Sequence, residues 1–235
     1  MRLYLTILIC LWICLPAAAV PGSDQEDPLT GQALVDALLG GGFNIYFRHA
    51  ATDWSQDDHV QAPGDWTSCD STRMRQLSDA GRAAAKRIGR AIRRLSIPIG
   101  PVFSSEYCRA KETAEQMDLG PVSPTLDIMN MRAADFVGGR EAVTDRARQK
   151  LSTPPPAGTN ALFVAHGNLM RAVFGAYTGE GGAVIFDPLG DGEFRLAAEL
   201  TPDDWDRLAD TFADTETEEN EKEPGHVEIQ RTKKT

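Results

Sequence analysis

Phe43-Asn44-Ile45-Tyr46-Phe47-Arg48-His49-Ala50 is the stretch on which the reading of this 235-residue chain turns. Apolar and β-favouring residues run from Phe43 to Phe47, entered from Gly40-Gly41-Gly42, and this pattern predicts a buried strand. Its carboxyl end carries Arg48 and His49. In open α/β sheets the ligand crevice lies outside the carboxyl ends of the strands. The pattern recurs twice: Val102-Phe103-Ser104-Ser105 runs on toward Arg109, and Ala161-Leu162-Phe163-Val164-Ala165 runs into His166-Gly167-Asn168. These strand ends are expected to converge Arg48, His49, Arg109 and His166 on one spot.

Those residue types suit phosphoryl transfer. A phosphoryl group in flight spreads charge over its equatorial oxygens, so a catalyst needs fixed cations around them and an in-line nucleophile. Arg48 and Arg109 supply planar forks that match a phosphate and stay charged at neutral pH. They also favour a neutral imidazole, whose lone pair can attack phosphorus. On residue chemistry alone either histidine could be that nucleophile. A metal set drawn from His49, Asp53, Asp57, His59 and His166 competes on donor type, but two arginines in the same pocket would repel a cation.

Arg48-His49, Ser104-Ser105 with Arg109 in "SSEYCRAKETA", and His166-Gly167 in "VAHGN" together resemble the histidine phosphatase superfamily. The likeness is to the branch that includes phosphoglycerate mutases and small phosphatases, and it runs over about residues 43–205 with the three motifs in the family's order. It implies a three-layer α/β/α fold with a mainly parallel, phosphoglycerate mutase-like sheet. It also implies an exchange in which His49 becomes phosphohistidine and water then hydrolyses it. Arg48, Arg109 and His166 would hold the phosphoryl oxygens, with Gly167 and Asn168 adding backbone or amide donors, and neither metal nor cofactor is implied. The same chemistry would serve a phosphomutase, and a phosphate-binding module without turnover is the rival from another class. "RHAATDWSQDD" and "GAVIFDPLGDGEF" look most like bacterial periplasmic members, whose relatives include heptose-phosphate phosphatases.

Two positions depart from the family pattern. Ala50 stands where the first motif usually ends in Gly, a change that keeps the backbone amide. Met131 stands where relatives place a Glu proton donor, so the acid is sought at Asp53 or Glu106, with Asp127 and Asp135 as further carboxylates. Without one, substrates with acidic leaving groups are favoured: anomeric, aryl or anhydride phosphates.

An apolar content of 42% over this length suits one α/β domain, expected at 29–212. Residues 1–19, with Arg2, an apolar run and Ala17-Ala18-Ala19, read as a secretory signal too short to span a bilayer, followed by a leader at 20–28. The expected location is the periplasm or the exterior, with no stable membrane anchor after cleavage. The formal charge of −10 disfavours nucleic acid as a partner and leaves a small phosphorylated substrate. Residues 213–235 form an acidic tail with the composition of disorder, which includes His226. The sequence does not fix the oligomeric state.

Cys69 and Cys108 remain after signal removal, in a compartment that permits oxidation. A disulfide between them is the working hypothesis, pinning the long polar loop 52–75 beside Arg109; two buried free thiols are the alternative. Elsewhere the pattern predicts a helix capped by Thr30, and a second capped by Ser78 with a buried stripe of Leu77, Ala80, Ala84, Ile88, Ile92 and Leu95. The latter's basic face, with Arg82, Lys86, Arg87, Arg90, Arg93 and Arg94, reads as solvated. A helix is expected over Glu106–Met117, a short extended piece over Leu126–Met131, helices over Glu141–Leu151 and Leu169–Tyr177, a hairpin around Gly190-Asp191-Gly192, and a last helix from Thr201-Pro202.

Overall fold

The computed structural model describes residues 27–213; the expected signal, nearly all of the leader and of the acidic tail, and His226 lie outside them. Strands β1 (Asn44–Arg48), β2 (Ile99–Ser105), β3 (Val122–Thr125), β4 (Asn160–Ala165), β5 (Ala183–Gly190) and β6 (Glu193–Leu200) form one sheet in the order β3-β2-β4-β1-β5-β6. The pairings of β3 with β2, β2 with β4 and β4 with β1 are parallel, whereas β5 runs antiparallel to both β1 and β6. The carboxyl ends of β2, β4 and β1 therefore lie side by side, with Arg48 opposite Ala165 and Ser104 opposite Val164.

The helices are α1 (Gly31–Gly40), α2 (Asp79–Arg94), α3 (Cys108–Met117), α4 (Gly139–Ser152), α5 (Gly167–Phe174) and α6 (Pro202–Phe212), and they cover both faces of the sheet. Alternation along β1 shows how: the ring of Phe47 packs 5.8 Å from Trp205 of α6, while its neighbour Tyr46 points the other way, 5.7 Å from Phe174 at the end of α5. All five β1 residues are buried, and each large apolar side chain removed from water contributes about 1.5–3 kcal/mol. Asn160, the polar residue that opens β4, is satisfied rather than stranded. Asn160 accepts from Phe43 N and donates to the carbonyls of Leu38 and Pro98, which ties three segments at the end of the sheet opposite the histidines.

Four expectations need correction. The buried stripe of α2 runs through Gly81, Ala85, Ile88, Gly89 and Ile92 rather than Ala80 and Ala84. The cause is close backbone approach: a Cβ on Gly81 would sit 2.0 Å from Ala51 O, and one on Gly89 1.9 Å from Met117 O. Leu126–Met131 is not extended; β3 ends at Thr125, and two 3-10 turns follow at Leu126–Ile128 and Met131–Phe136, opened by the side chains of Thr125 and Asn130. Pro124 is tolerated in β3 because β3 is an edge strand. α5 starts at Gly167 and stops at Phe174, where Gly175 adopts φ 72°, short of Tyr177. The basic face of α2 is solvated only in part, for Arg82 pairs with Glu112 of α3, and Arg87 and Arg94 with Asp203 and Asp210 of α6.

Candidate active site

Each candidate residue owes its position to a strand end. His49 follows β1, and its backbone N–H donates to Ala165 O at 2.9 Å, so the parallel pairing continues one residue past the strand. His166 follows β4 and is fixed by Tyr46, whose hydroxyl accepts from His166 N at 3.0 Å and donates to His166 O at 2.9 Å. Arg109 lies in the first turn of α3, and Thr113 links it to β1 by donating to Arg109 O and accepting from Ala50 N. The Ala50 amide is thus a structural donor, and the residue is wholly buried.

Arg48, His49, Arg109 and His166 line one pocket of about 150 Å³, together with Gly167 and Asn168. The imidazole rings are 5.5 Å apart. Both histidines are held well below the ordinary histidine range, first by burial and then by the Arg109 charge. Burial therefore outranks the arginines as the cause. His49 Nδ1 lies 2.9 Å from Ala50 O, which can only accept; Nδ1 therefore carries the proton, and Nε2 of the neutral ring keeps its lone pair.

His166 Nε2 lies 2.9 Å from Ser105 Oγ. That hydroxyl already accepts from Tyr107 N at 3.4 Å, and its other acceptor, the Met129 thioether at 3.6 Å, is weak. The serine proton is thus available to His166 Nε2, an arrangement that leaves the histidine proton on Nδ1. Among the described residues that Nδ1 has no hydrogen-bond partner, and neither do Nε of Arg48, Arg75 and Arg109. Buried unsatisfied polar groups cost about 1–3 kcal/mol each. All four of these atoms belong to residues that line the pocket.

The arginine forks are partly engaged by the protein. Arg48 Nη1 donates to Tyr177 Oη and Thr178 O. Arg109 Nη1 and Nη2 reach the two oxygens of Asp58 at 2.8 and 3.0 Å. Asn168 Nδ2 donates to Asn130 Oδ1 at 2.7 Å, so its amide braces the turn after β3. A Cβ on Gly167 would approach Tyr177 Cε2 to 2.8 Å and Arg48 Cδ to 3.1 Å; glycine lets both pack over the start of α5.

The carboxylates expected to act as acids lie elsewhere. Asp53 accepts from Ser55 and Gln56 within its own loop, bonds that hold it below the usual carboxylate range, and it lines a neighbouring groove. Glu106 accepts from Trp66 Nε1 at 2.9 Å, and neither it, Asp127 nor Asp135 lines the pocket. Met131 is buried beside it, flanked by the pocket residues Asn130 and Arg132. The pocket carboxylate is Asp58, which accepts from Arg109 with both oxygens.

Trp54, Asp58, Arg75, Asn130, Arg132 and Tyr177 are the pocket residues that sequence reasoning does not assign to the site. Arg75, half-buried and stacked 3.9 Å from the Trp54 ring centroid, has its pKa lowered by burial and by Arg109. Asp58 and Arg75 come from the 52–75 loop, which the Cys69–Cys108 disulfide fastens to the first turn of α3. Among the described residues no group of three or more His, Cys, Asp or Glu is placed to hold a metal ion, and none of their helices is long and apolar enough to cross a membrane.

The family model of the histidine phosphatase superfamily (branch 1) matches residues 45–151, a span that holds Arg48, His49 and Arg109 and ends before His166. Similar solved structures include TTHB049 from Thermus thermophilus, with 21% identity and TM-score 0.45 over 68% of this chain and 99% of that one. A phosphoserine phosphatase mutant from Entamoeba histolytica in complex with phosphoserine gives 14% identity and TM-score 0.47 over 69% and 98%. The protein histidine phosphatase SixA complexed with tungstate gives 13% and 0.47 over 68% and 97%. No curated protein matches the chain.

Proposed function

We propose that this chain, whose residues 45–151 match the family model of the histidine phosphatase superfamily, is a member of that superfamily and an exported phosphomonoesterase working through a phosphohistidine on His49. The observation that carries this reading is the His49 Nδ1–H bond to Ala50 O, which leaves Nε2 as the basic nitrogen of a neutral ring within a pocket of arginines. Nε2 donates its pair to phosphorus as the ester P–O bond breaks and the leaving oxygen departs with that bond's electrons. Arg48, Arg109 and Arg75 offset the charge on the equatorial oxygens, and His166 Nδ1–H donates to one of them. Water then attacks phosphorus from the side the leaving group vacated, the N–P bond breaks, and inorganic phosphate leaves with the His49 ring neutral again.

Asp58 meets Arg109 as an acceptor at both oxygens, so the leaving oxygen takes its proton from water. That favours esters whose leaving groups are acidic: aryl, anomeric and anhydride phosphates. Export is supported by the signal-like residues 1–19 and by the Cys69–Cys108 disulfide, a bond that persists in oxidising compartments. The test is turnover of aryl phosphates graded by phenol pKa. A steep rise in kcat/KM with phenol acidity, abolished in His49→Ala, is expected; a flat series, or an active His49→Ala, contradicts the reading.

A further inference from the structure

The catalytic pocket shares a wall with a second groove. Tyr177 and Asn168 line both, and Arg140, Arg171 and Ala172 complete the groove, whose volume is about 360 Å³. The exposed ring of Tyr177 touches a cation from each chamber, with the guanidinium carbon of Arg48 at 5.1 Å and that of Arg171 at 4.4 Å from its centroid. Its hydroxyl accepts from Arg48 Nη1 at 2.9 Å. The partition is therefore an aromatic plate coupled to the catalytic arginine on one side and to a groove arginine on the other.

The groove cations differ from three of the arginines on the surface of α2. Arg82, Arg87 and Arg93 pair with Glu112, Asp203 and Asp118. Among the described residues Arg140 and Arg171 meet no carboxylate, and no acidic side chain lines the groove. On a chain of formal charge −10, two uncompensated guanidinium groups beside an anion-binding pocket form a local field that selects a second negative group.

We propose that this groove is a subsite for a second phosphate. The substrate is then a bisphosphorylated small molecule: its reacting phosphoryl group enters beside His49, its skeleton lies across Tyr177, and its other phosphate rests on Arg140 and Arg171. This rests on the phosphatase reading above.

Alkane bisphosphates of graded chain length, compared with alkyl monophosphates of the same length, serve as rulers when they compete with phenyl phosphate hydrolysis. At the matching length the bisphosphate inhibits about tenfold or more tightly than the monophosphate, as expected for added charge-assisted hydrogen bonds. Combined Arg140→Ala and Arg171→Ala removes that gain while leaving kcat for phenyl phosphate and inhibition by the monophosphate unchanged; Arg140→Lys with Arg171→Lys keeps most of it. Bisphosphates no better than monophosphates at every length, or a gain that survives both alanine substitutions, overturn the subsite and leave the phosphatase reading standing. Failure of the wild-type protein to hydrolyse phenyl phosphate overturns both.

Discussion

Arg109 and Asp58 meet end to end in the pocket wall, with the two terminal nitrogens of the guanidinium on the two oxygens of the carboxylate and each side chain almost wholly buried. The pair joins the first turn of α3 to the loop that follows β1, and it sets how much positive charge the pocket presents.

Asp58→Asn breaks this pair without changing its shape. A buried guanidinium losing its partner destabilises by about 3–5 kcal/mol, so thermal unfolding should shift down markedly. Phosphate restores a counter-charge, so its stabilising effect should be larger in the variant than in the wild type. Unfolding midpoints with and without inorganic phosphate check this; an equal phosphate response in both proteins counts against Asp58 opposing the anion.

The disulfide makes a second prediction. Cys69 and Cys108 are 39 positions apart. Closing a loop of that length stabilises by about 4 kcal/mol in the chain-entropy model. Reduction, or Cys69→Ser, should lower stability by roughly that amount. Because the freed loop carries Asp58 and Arg75, KM for an aryl phosphate should rise more than kcat falls. Chemical denaturation and steady-state kinetics under oxidising and reducing conditions provide the readout.

Stability should also depend on pH in a definite direction. His49 and His166 are both depressed by burial and by Arg109, so the folded protein holds them neutral while the unfolded chain protonates them below about 6.5. The unfolded state then binds more protons, and stability rises with pH through that window. It is fully present above about 6.5 and is lost as pH falls toward the folded-state values. Denaturation midpoints measured down from neutrality test the sign. A double variant, His49→Gln with His166→Gln, should show a shallower decline than the wild type.

Gly89→Ala tests the packing that sets α2 against α3. The added methyl would sit 1.9 Å from Met117 O, which is backbone and cannot swing away. A loss of about 2–3 kcal/mol or more is expected from overpacking, measured by denaturant unfolding. A neutral substitution would mean that the helices can part without cost.

The strand ends are legible because a buried parallel strand needs an uninterrupted apolar run, and a polar pair at its close stands out against that run. Arg48, His49, Arg109 and His166 reach one pocket for that reason. Leu77, Ile88, Ile92 and Leu95 of the expected α2 stripe are buried, and only Ala80 and Ala84 fall out of register, because Gly81 buries there by letting neighbouring backbone approach and glycine leaves no apolar signal. Asp58 and Arg75 stay hidden for a different reason. Their loop has no period, and its shape comes from long-range ties: a disulfide to α3, the Asp58–Arg109 pair and the Trp54–Arg75 stack. The turns at 126–136 have a readable clue in Thr125 and Asn130, whose side chains accept from residues two positions on.

The most direct test is to trap the covalent intermediate. Wild-type protein mixed with an aryl phosphate, quenched within one turnover and mapped by peptide mass spectrometry under alkaline conditions, should carry a phosphoryl group on His49, acid-labile and stable to base. Turnover with no phosphorylated residue, or with the phosphoryl group on any side chain other than His49, would contradict the account.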